Sequence, residues 1–263
     1  MWMVPNRWLR CHHHHESHTG GPPTSRHEAA VETQRSGSRE IKVVRRVLDT
    51  NDIMADRNRA HFGAHGVFVL NMMSSPGSGK TTTLQRTLAQ LMPDLRCAVI
   101  VGDICTTYDA DRLAGSGAPV VQINTDAFGG DCHLAAHVIE KAATGIDLHE
   151  VDLLIIENIG NLVCPAEFDI GEDKRVVVLS VTEGEDKPAK YPLMFRECDA
   201  LLLNKIDLLP YLDYDKNLTL ESIDQIHPGM PVFEISAKTG EGFEGWVGWI
   251  KEQVEIKKQR SEH

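Results

Sequence analysis

The feature that most constrains the fold is a glycine-rich loop between an apolar run and an amphipathic stretch. The run Val67–Met73 leads directly into Ser74-Ser75-Pro76-Gly77-Ser78-Gly79-Lys80-Thr81, and Leu84, Leu88 and Leu91 follow at helical spacing. In a strand, loop and helix of this kind, backbone N–H groups turn inward around phosphate oxygens, and the helix N-terminus adds partial positive charge. The order therefore predicts a phosphate-binding loop.

The residue types in this loop suit a nucleotide. We expect Lys80 to reach the β- and γ-phosphates and the Thr81 hydroxyl to bind Mg²⁺. Ser74 stands where the pattern usually has its first glycine, a position that another small residue can fill. A glycine-rich turn without a ligand is the alternative, and the intact Gly-Lys-Thr disfavours it. The predicted nucleotide-binding residues here are Ser75, Gly77, Ser78, Gly79, Lys80, Thr81 and Thr82.

Seven short apolar runs follow one another along the chain, separated by stretches with helical character. Near-continuous apolarity is typical of strands that are buried on both faces, with helices covering a parallel sheet. The pattern predicts an α/β fold, a P-loop NTPase three-layer sandwich with a mostly parallel sheet. The runs are Val67–Met73, Cys97–Val101, Pro119–Ile123, Val151–Ile156, Arg175–Val181, Ala200–Leu203 and Pro231–Ile235.

The amino-acid composition excludes several classes of protein. With 263 residues, of which 41% are hydrophobic, the chain can bury a sizeable core. A formal net charge of −11 disfavours nucleic acid and acidic membrane surfaces as partners. We find no apolar run long enough to span a bilayer and no secretory segment, and six dispersed cysteines favour a reducing compartment. We therefore expect a cytoplasmic protein.

The first part of the chain differs from the rest. Residues 1–40 contain Cys11, His12–His15 and His18 without apolar periodicity, which predicts a disordered His-containing tail. One interpretation of this tail is an expression tag, although four histidines followed by Glu16 are not the usual form of a tag. Residues 41–263 are then the domain that carries the phosphate loop, and apolar spacing from Arg39 to Ala60 predicts a helical lead-in. The possible breaks or caps in it are Asp49, Asn51 and Asp52.

Two motifs near the C-terminus indicate the base of the nucleotide. Asn204-Lys205-Ile206-Asp207 follows an apolar run, and Ser236-Ala237-Lys238 follows the next one. A carboxylate such as Asp207 can accept two hydrogen bonds from the N1–H and N2 amino edge of guanine, whereas adenine leaves it unpaired. Each motif is weak alone, but their order after a phosphate loop predicts GTP rather than ATP.

Two further predicted strands end in acids. Asp103 closes one strand and Glu157 closes another, in Glu157-Asn158-Ile159-Gly160. Such an acid can hold Mg²⁺ or orient the attacking water, and Gly160 lets a backbone N–H approach the γ-phosphate. The candidate catalytic residues are therefore Lys80, Asp103 and Glu157, and the candidate magnesium ligands are Thr81 and Asp103. Asp109 also lies near this position, and Asp111 is better interpreted as a solvated loop acid.

A second kind of metal site is indicated by thiols and imidazoles. Cys132 and His133 are adjacent, His137 follows His133 at i+4 on the same face of a predicted helix, and Cys164 precedes a proline. Thiolate with imidazole suits Ni²⁺ or Zn²⁺. One chain offers about three ligands, so two chains related by a two-fold axis can complete the set. A buried cysteine and a capping histidine are the alternative, and that reading is applied to Cys97, Cys105 and Cys198.

These motifs in their order resemble the hydrogenase nickel-incorporation GTPases, the HypB family. The resemblance runs from about residue 40 to the C-terminus, and it includes Gly102-Asp103, Ile123-Asn124-Thr125, Cys132-His133-Leu134 and the segment from Glu157 to Pro165. It implies a GTPase of the dimerising P-loop class that forms a GTP-dependent homodimer. Together with a nickel chaperone partner, such a protein helps to insert nickel into the hydrogenase large subunit.

The resemblance also implies roles for individual residues. Cys132, His133 and Cys164 match the family's Ni²⁺ or Zn²⁺ ligands at the dimer interface, and His137 matches an accessory ligand of some members. The link Asp126–Asp131 is longer than in many members, and the N-terminal Cys-x-x-Cys-Gly-Cys nickel site of others is absent. Other members carry His-rich tails that store nickel, and Cys11, His12–His15 and His18 resemble a short version, so the resemblance implies a native, weak nickel-binding tail. A nickel-storage protein is the alternative from another class. The urease-type nickel GTPase is disfavoured because Ala166 stands where its metal motif has His, and the guanine motif argues against a small-molecule kinase.

Overall fold

The computed structural model describes residues 47–103, 113, 115–124 and 133–261. The strands are β1 Phe68–Ser74, β2 Cys97–Asp103, β3 Val120–Asn124, β4 Leu153–Gly160, β5 Lys174–Ser180, β6 Ala200–Asn204 and β7 Val232–Glu234. The helices are α1 (residues 47–64), α2 Lys80–Leu91, α3 Ala136–Ala143, α4 Cys164–Glu167, α5 Lys187–Lys190, α6 Pro192–Glu197, α7 Lys216–Ile226 and α8 Phe243–Ser261. Leu148–Glu150 and Ile206–Tyr211 form 3-10 helices.

Each of the seven predicted apolar runs overlaps one strand, and the strands form one sheet in the order β3-β2-β4-β1-β5-β6-β7. Every pairing in this sheet is parallel, so the predicted fold class is confirmed with a fully parallel sheet. Ligands of such sheets bind outside the carboxyl ends of the strands. The register brings Met72 beside Glu157 and Ser180 beside Asn204, which places the candidate residues along that edge.

The core lies on both faces of the sheet because alternate strand residues point in opposite directions. On one face, Leu70 packs in a cluster with Leu88 of α2 and Trp246 of α8. On the other, Val69 packs with Phe62 of α1 and Ile139 of α3. Helices therefore cover the sheet on both sides. Within the described part of the chain, no helix is long and apolar enough to cross a membrane.

The predicted helical lead-in is present over the described residues 47–60, but the predicted breaks at Asp49, Asn51 and Asp52 are wrong. Helix α1 runs without interruption through all three residues. The Asn51 amide stays in the helix because it serves tertiary contacts, donating to the Asp169 carbonyl at 2.6 Å and accepting from the Ala136 N–H at 2.9 Å. The predicted tail, residues 1–40, lies outside the described residues.

Candidate functional site

A cavity of about 370 Å³ opens where β1 passes into the glycine-rich loop. Gly77 and Gly79 have φ angles of +80° and +91°, a region that side chains disfavour. A Cβ on Gly79 would lie 2.6 Å from Nδ2 of Asn204, so only glycine fits there. The N-cap residue of α2 is Gly79, which has no side chain to cap the helix, and the partial positive charge of this helix end suits a phosphate. The cavity is lined by Ser74, Ser75, Pro76, Gly77, Ser78, Gly79, Lys80, Thr81, Thr82, Gly102, Glu157, Ile159 and Gly160.

Glu157 lies at the floor of this cavity with its side chain only 2% exposed. Its Oε1 accepts a hydrogen bond from the Thr81 hydroxyl at 2.6 Å and lies 3.4 Å from Nζ of Lys80. Its Oε2 is buried and has no hydrogen-bond partner among the described residues. A buried carboxylate oxygen without a partner is costly. The Glu157 carboxylate beside a hydroxyl is an oxygen donor pair of the kind that Mg²⁺ takes.

The structure describes the predicted hydrolytic residues in part. Glu157 lies directly beside Lys80 and Thr81, as expected of a residue at the phosphate end. The backbone of Asp103 ends β2 opposite Asn124, at the same sheet edge. The side chain of Asp103 lies outside the described residues, as do Asp109 and Asp111. Gly160 adjoins the loop, because a Cβ there would lie 3.3 Å from the backbone of Pro76.

The predicted base motif is joined to the phosphate loop by one buried amide. Asn204 Nδ2 donates to the Ser78 carbonyl at 2.9 Å, and its Oδ1 accepts from the Ala237 N–H at 3.0 Å. Lys205, with φ of +64°, donates from Nζ to the Gly77 carbonyl at 2.7 Å. The structure therefore brings the three predicted nucleotide segments together at one edge of the sheet.

Asp207, whose carboxylate is expected to bind guanine, is held in place by a hydrogen bond. Asp207 Oδ1 accepts from the Ser236 hydroxyl at 2.6 Å, and the Ser236 oxygen accepts from the Thr239 N–H at 3.1 Å. Lys238 belongs to the same turn, and its carbonyl accepts from Arg86 at 3.0 Å. A carboxylate fixed by a neighbour loses less entropy when it binds a ligand.

The predicted nickel or zinc ligands are described only in part, since Cys132 lies outside the described residues. The expectation that His133 and His137 share a helical face is wrong. Helix α3 begins at Ala136, because Ala135 is extended and the Leu134 N–H donates to the Asn158 side chain instead of entering a helix. Among the described residues, no group of three or more His, Cys, Asp or Glu side chains is arranged to hold a metal.

The segments that carry two of these ligands nevertheless adjoin. The His133 ring stacks on Phe168 with centroids 3.7 Å apart. Phe168 directly follows α4, the short helix that Cys164 opens four residues earlier. Cys164 is partly exposed and forms no disulfide with the other described cysteines. The stacking therefore holds His133 next to the helix that carries Cys164.

Comparison with known proteins agrees with this site. The family model described as CobW/HypB/UreG, nucleotide-binding domain, matches residues 68–234. The hydrogenase maturation factor HypB of Escherichia coli (strain K12) is 49% identical over 218 residues, covering 83% of this chain and 74% of that protein. The chain belongs to the HypB family. The HypB of Azotobacter vinelandii is 48% identical over 236 residues, covering 90% of this chain and 76% of that protein.

Solved HypB structures have the same fold. The crystal structure of HypB from Helicobacter pylori in complex with nickel has a TM-score of 0.73 at 38% identity, covering 79% of this chain and 96% of that one. HypB from Archaeoglobus fulgidus also has a TM-score of 0.73, at 35% identity, covering 79% of this chain and 100% of that one. The predicted resemblance to the HypB family is thereby confirmed, and the chain is a P-loop GTPase.

Two residues at the nucleotide site of this HypB family member were missed by the sequence analysis. Arg86 of α2 donates from Nε to the Ala237 carbonyl at 2.9 Å and so ties the base loop to the helix after the phosphate loop. Glu183 accepts from the Ser75 hydroxyl, and its other oxygen accepts from the Ser180 N–H at 2.9 Å. The sequence signal that could have identified Glu183 is its position just after β5, the strand that pairs with β1 in the sheet.

The reading of Cys97 and Cys198 as buried hydrophobes is confirmed. Both thiols are free and buried. Burial raises the pKa of Cys97 to about 12, and burial likewise raises the pKa of Cys198 far above that of an exposed thiol. Neither thiol is therefore suited to bind a metal as thiolate. Cys105, which received the same reading, lies outside the described residues.

Proposed function

We propose that this chain is a GTP-hydrolysing metallochaperone that binds nickel or zinc and assists nickel insertion into [NiFe]-hydrogenase. The observation that carries the proposal is the bridge made by Asn204, which joins the phosphate loop to the loop that reads the base. Relatives named hydrogenase maturation factor, and a structural neighbour crystallised with nickel, support the proposal that nickel is the metal delivered. The proposed compartment is the cytoplasm, where thiols such as Cys164 stay reduced.

Specificity for GTP follows from Asp207. Its carboxylate, held by Ser236, matches the two N–H donors of guanine, while adenine presents no such pair. A buried or fixed carboxylate facing the wrong edge loses its hydrogen bonds with water without replacement. We therefore expect GDP and GTP to raise Tm where ADP and ATP do not.

Hydrolysis is proposed to be slow and regulatory. Lys80 is proposed to stabilise negative charge on the β- and γ-phosphates, and Glu157 and Asp103 are proposed to orient the attacking water. Thr81 and Asp103 are the proposed Mg²⁺ ligands. When bound, Mg²⁺ neutralises charge on the phosphate oxygens. The Oε2 of Glu157, which has no hydrogen-bond partner within the described part of the chain, supports this assignment.

Coupling between nucleotide and metal is proposed to run along one segment. Strand β4 carries Glu157 and Gly160 at the phosphate end and continues into α4, which begins at Cys164. Cys132, His133 and Cys164 are the proposed nickel or zinc ligands, with His137 as accessory. A GTP-dependent homodimer completes the ligand set, and a nickel chaperone and the hydrogenase large subunit are the proposed partners.

The test is a titration with Ni²⁺ of the full chain, loaded either with GDP or with a non-hydrolysable GTP analogue. The nickel affinity and the molecular mass are measured for each nucleotide. We expect the nucleotide to change both. In Cys164→Ala, GTP binding is retained, nickel affinity falls and the nucleotide no longer alters it. Glu167→Ala, which changes an exposed residue of the same helix, is the control and is expected to behave as wild type. Unchanged nickel binding in Cys164→Ala contradicts the proposal.

A further inference from the structure

Three histidines from two distant segments meet on the surface away from the nucleotide site. His61 lies near the end of α1, His65 lies in the turn that follows, and His149 lies in the 3-10 helix Leu148–Glu150. The ring centroids are 4.9 Å apart for His61 and His65, and 4.8 Å apart for His65 and His149. We propose that these residues form a second binding site for a divalent cation of the Ni²⁺ or Zn²⁺ class, with His65 as the central ligand.

The spacing of the rings suits a shared ion. Because a metal–nitrogen bond to histidine is about 2.0–2.1 Å, two imidazoles on one tetrahedral or square-planar ion have centroids about 4.5–5.2 Å apart. Both separations between ring centroids fall in this interval. The rings now pack edge to face, and in the described part of the chain no three such side chains already surround a common point. Binding therefore requires the rings to turn, while their positions can stay.

The central ring is prepared for this role by its hydrogen bond. Nδ1 of His65 lies 2.9 Å from the His61 carbonyl, an oxygen that can only accept. The proton of a neutral His65 ring is therefore on Nδ1, and the lone pair is on Nε2. Metal-binding histidines commonly make this kind of bond with the nitrogen that does not bind the metal. The outer two residues, His61 and His149, are exposed to solvent.

The backbone that carries the three residues is well anchored. The turn after α1 is closed by N–H bonds from His65 to Phe62 at 3.1 Å and from Val67 to Phe62 at 3.0 Å. The His149 carbonyl accepts from Arg96 at 3.1 Å, and the His149 N–H donates to the Asp147 carboxylate at 3.2 Å. The positive charge of Arg96 is offset by its contacts with Glu150 and Asp152. An ion here would link α1 to the segment before β4.

The ligand chemistry is that of imidazole alone, which suits Ni²⁺, Zn²⁺ and Cu²⁺ and is unsuited to Mg²⁺ or Ca²⁺. The proposal does not depend on the proposed function, because the site shares no residue with the nucleotide loop or with Cys132, His133 and Cys164. It therefore persists when those thiols are removed.

The test is equilibrium dialysis of the full chain against Ni²⁺, with the Ni²⁺-dependent rise in Tm as a second readout. His65→Asn keeps a side-chain N–H donor for the His61 carbonyl but removes the imidazole. We expect this variant, and the double variant His61→Ala/His149→Ala, each to lose about one equivalent of nickel together with part of the Tm rise. The loss is expected to be the same in a Cys164→Ala background.

The matched control is the variant His227→Ala. In the wild type, the His227 ring lies near the Phe195 carbonyl on another part of the molecule. It is expected to keep the wild-type nickel content. The proposal is overturned if His65→Asn or the double variant binds as much nickel as wild type. It is equally overturned if His227→Ala loses as much nickel as they do, since that would show general binding to surface imidazoles.

Discussion

Replacing Asn204 by alanine tests whether one amide holds the nucleotide site together. Asn204 is 1% exposed and bonds the Ser78 carbonyl and the Ala237 N–H at 2.9 and 3.0 Å. Its removal leaves one acceptor and one donor without a partner, at a cost of about 1–3 kcal/mol each when such groups stay buried. Because water enters the open cavity beside Ser78, we expect a loss of about 2–4 kcal/mol in the free energy of unfolding.

The assay is urea unfolding of the nucleotide-free chain, together with GDP binding. Since about 1.4 kcal/mol corresponds to a factor of ten in affinity, we expect the Kd for GDP to rise at least about tenfold in Asn204→Ala. Asn217→Ala makes the same change at an exposed position of α7 and is expected to stay within about 0.5 kcal/mol of wild type. Equal stability and equal GDP affinity in the two variants would refute the reasoning.

Three further outcomes are expected. Glu183→Ala releases the Ser75 hydroxyl and weakens GDP binding several-fold in fluorescence titrations, whereas Glu185→Ala does not. Bonding to Arg96 lowers the pKa of Asp152, so its stabilisation is present above the unfolded pKa of about 4 and is lost as the pH falls below it. Asp152→Asn should therefore flatten the acid limb of urea-unfolding profiles, and an unchanged limb would contradict this. Iodoacetamide at pH 8 should leave Cys97 and Cys198 unmodified, as peptide mass spectrometry would show.

The helical lead-in shows where local sequence signals mislead. Asp49, Asn51 and Asp52 are residue types that favour helix caps, yet α1 continues through them. The Asn51 and Asn58 amides bond carbonyls that are brought close only when the helix docks, with Asn58 donating to Ala136 at 2.7 Å and Ile170 at 3.0 Å. Tertiary packing overrides local propensity here.

The sequence alone determined the parallel α/β fold, the phosphate loop and the base motif, because each depends on the order and spacing of neighbouring residues. The apolar runs that predicted the strands are local patterns, and Ser74–Thr81 and Asn204–Asp207 are contiguous. Only the tertiary structure decided that Glu157 meets Thr81 across 76 positions and Arg86 meets Ala237 across 151 positions. The meeting of His65 with His149 was decided in the same way. Contacts between segments so far apart in the sequence depend on how the sheet and its covering helices pack. Local sequence patterns therefore do not predict them.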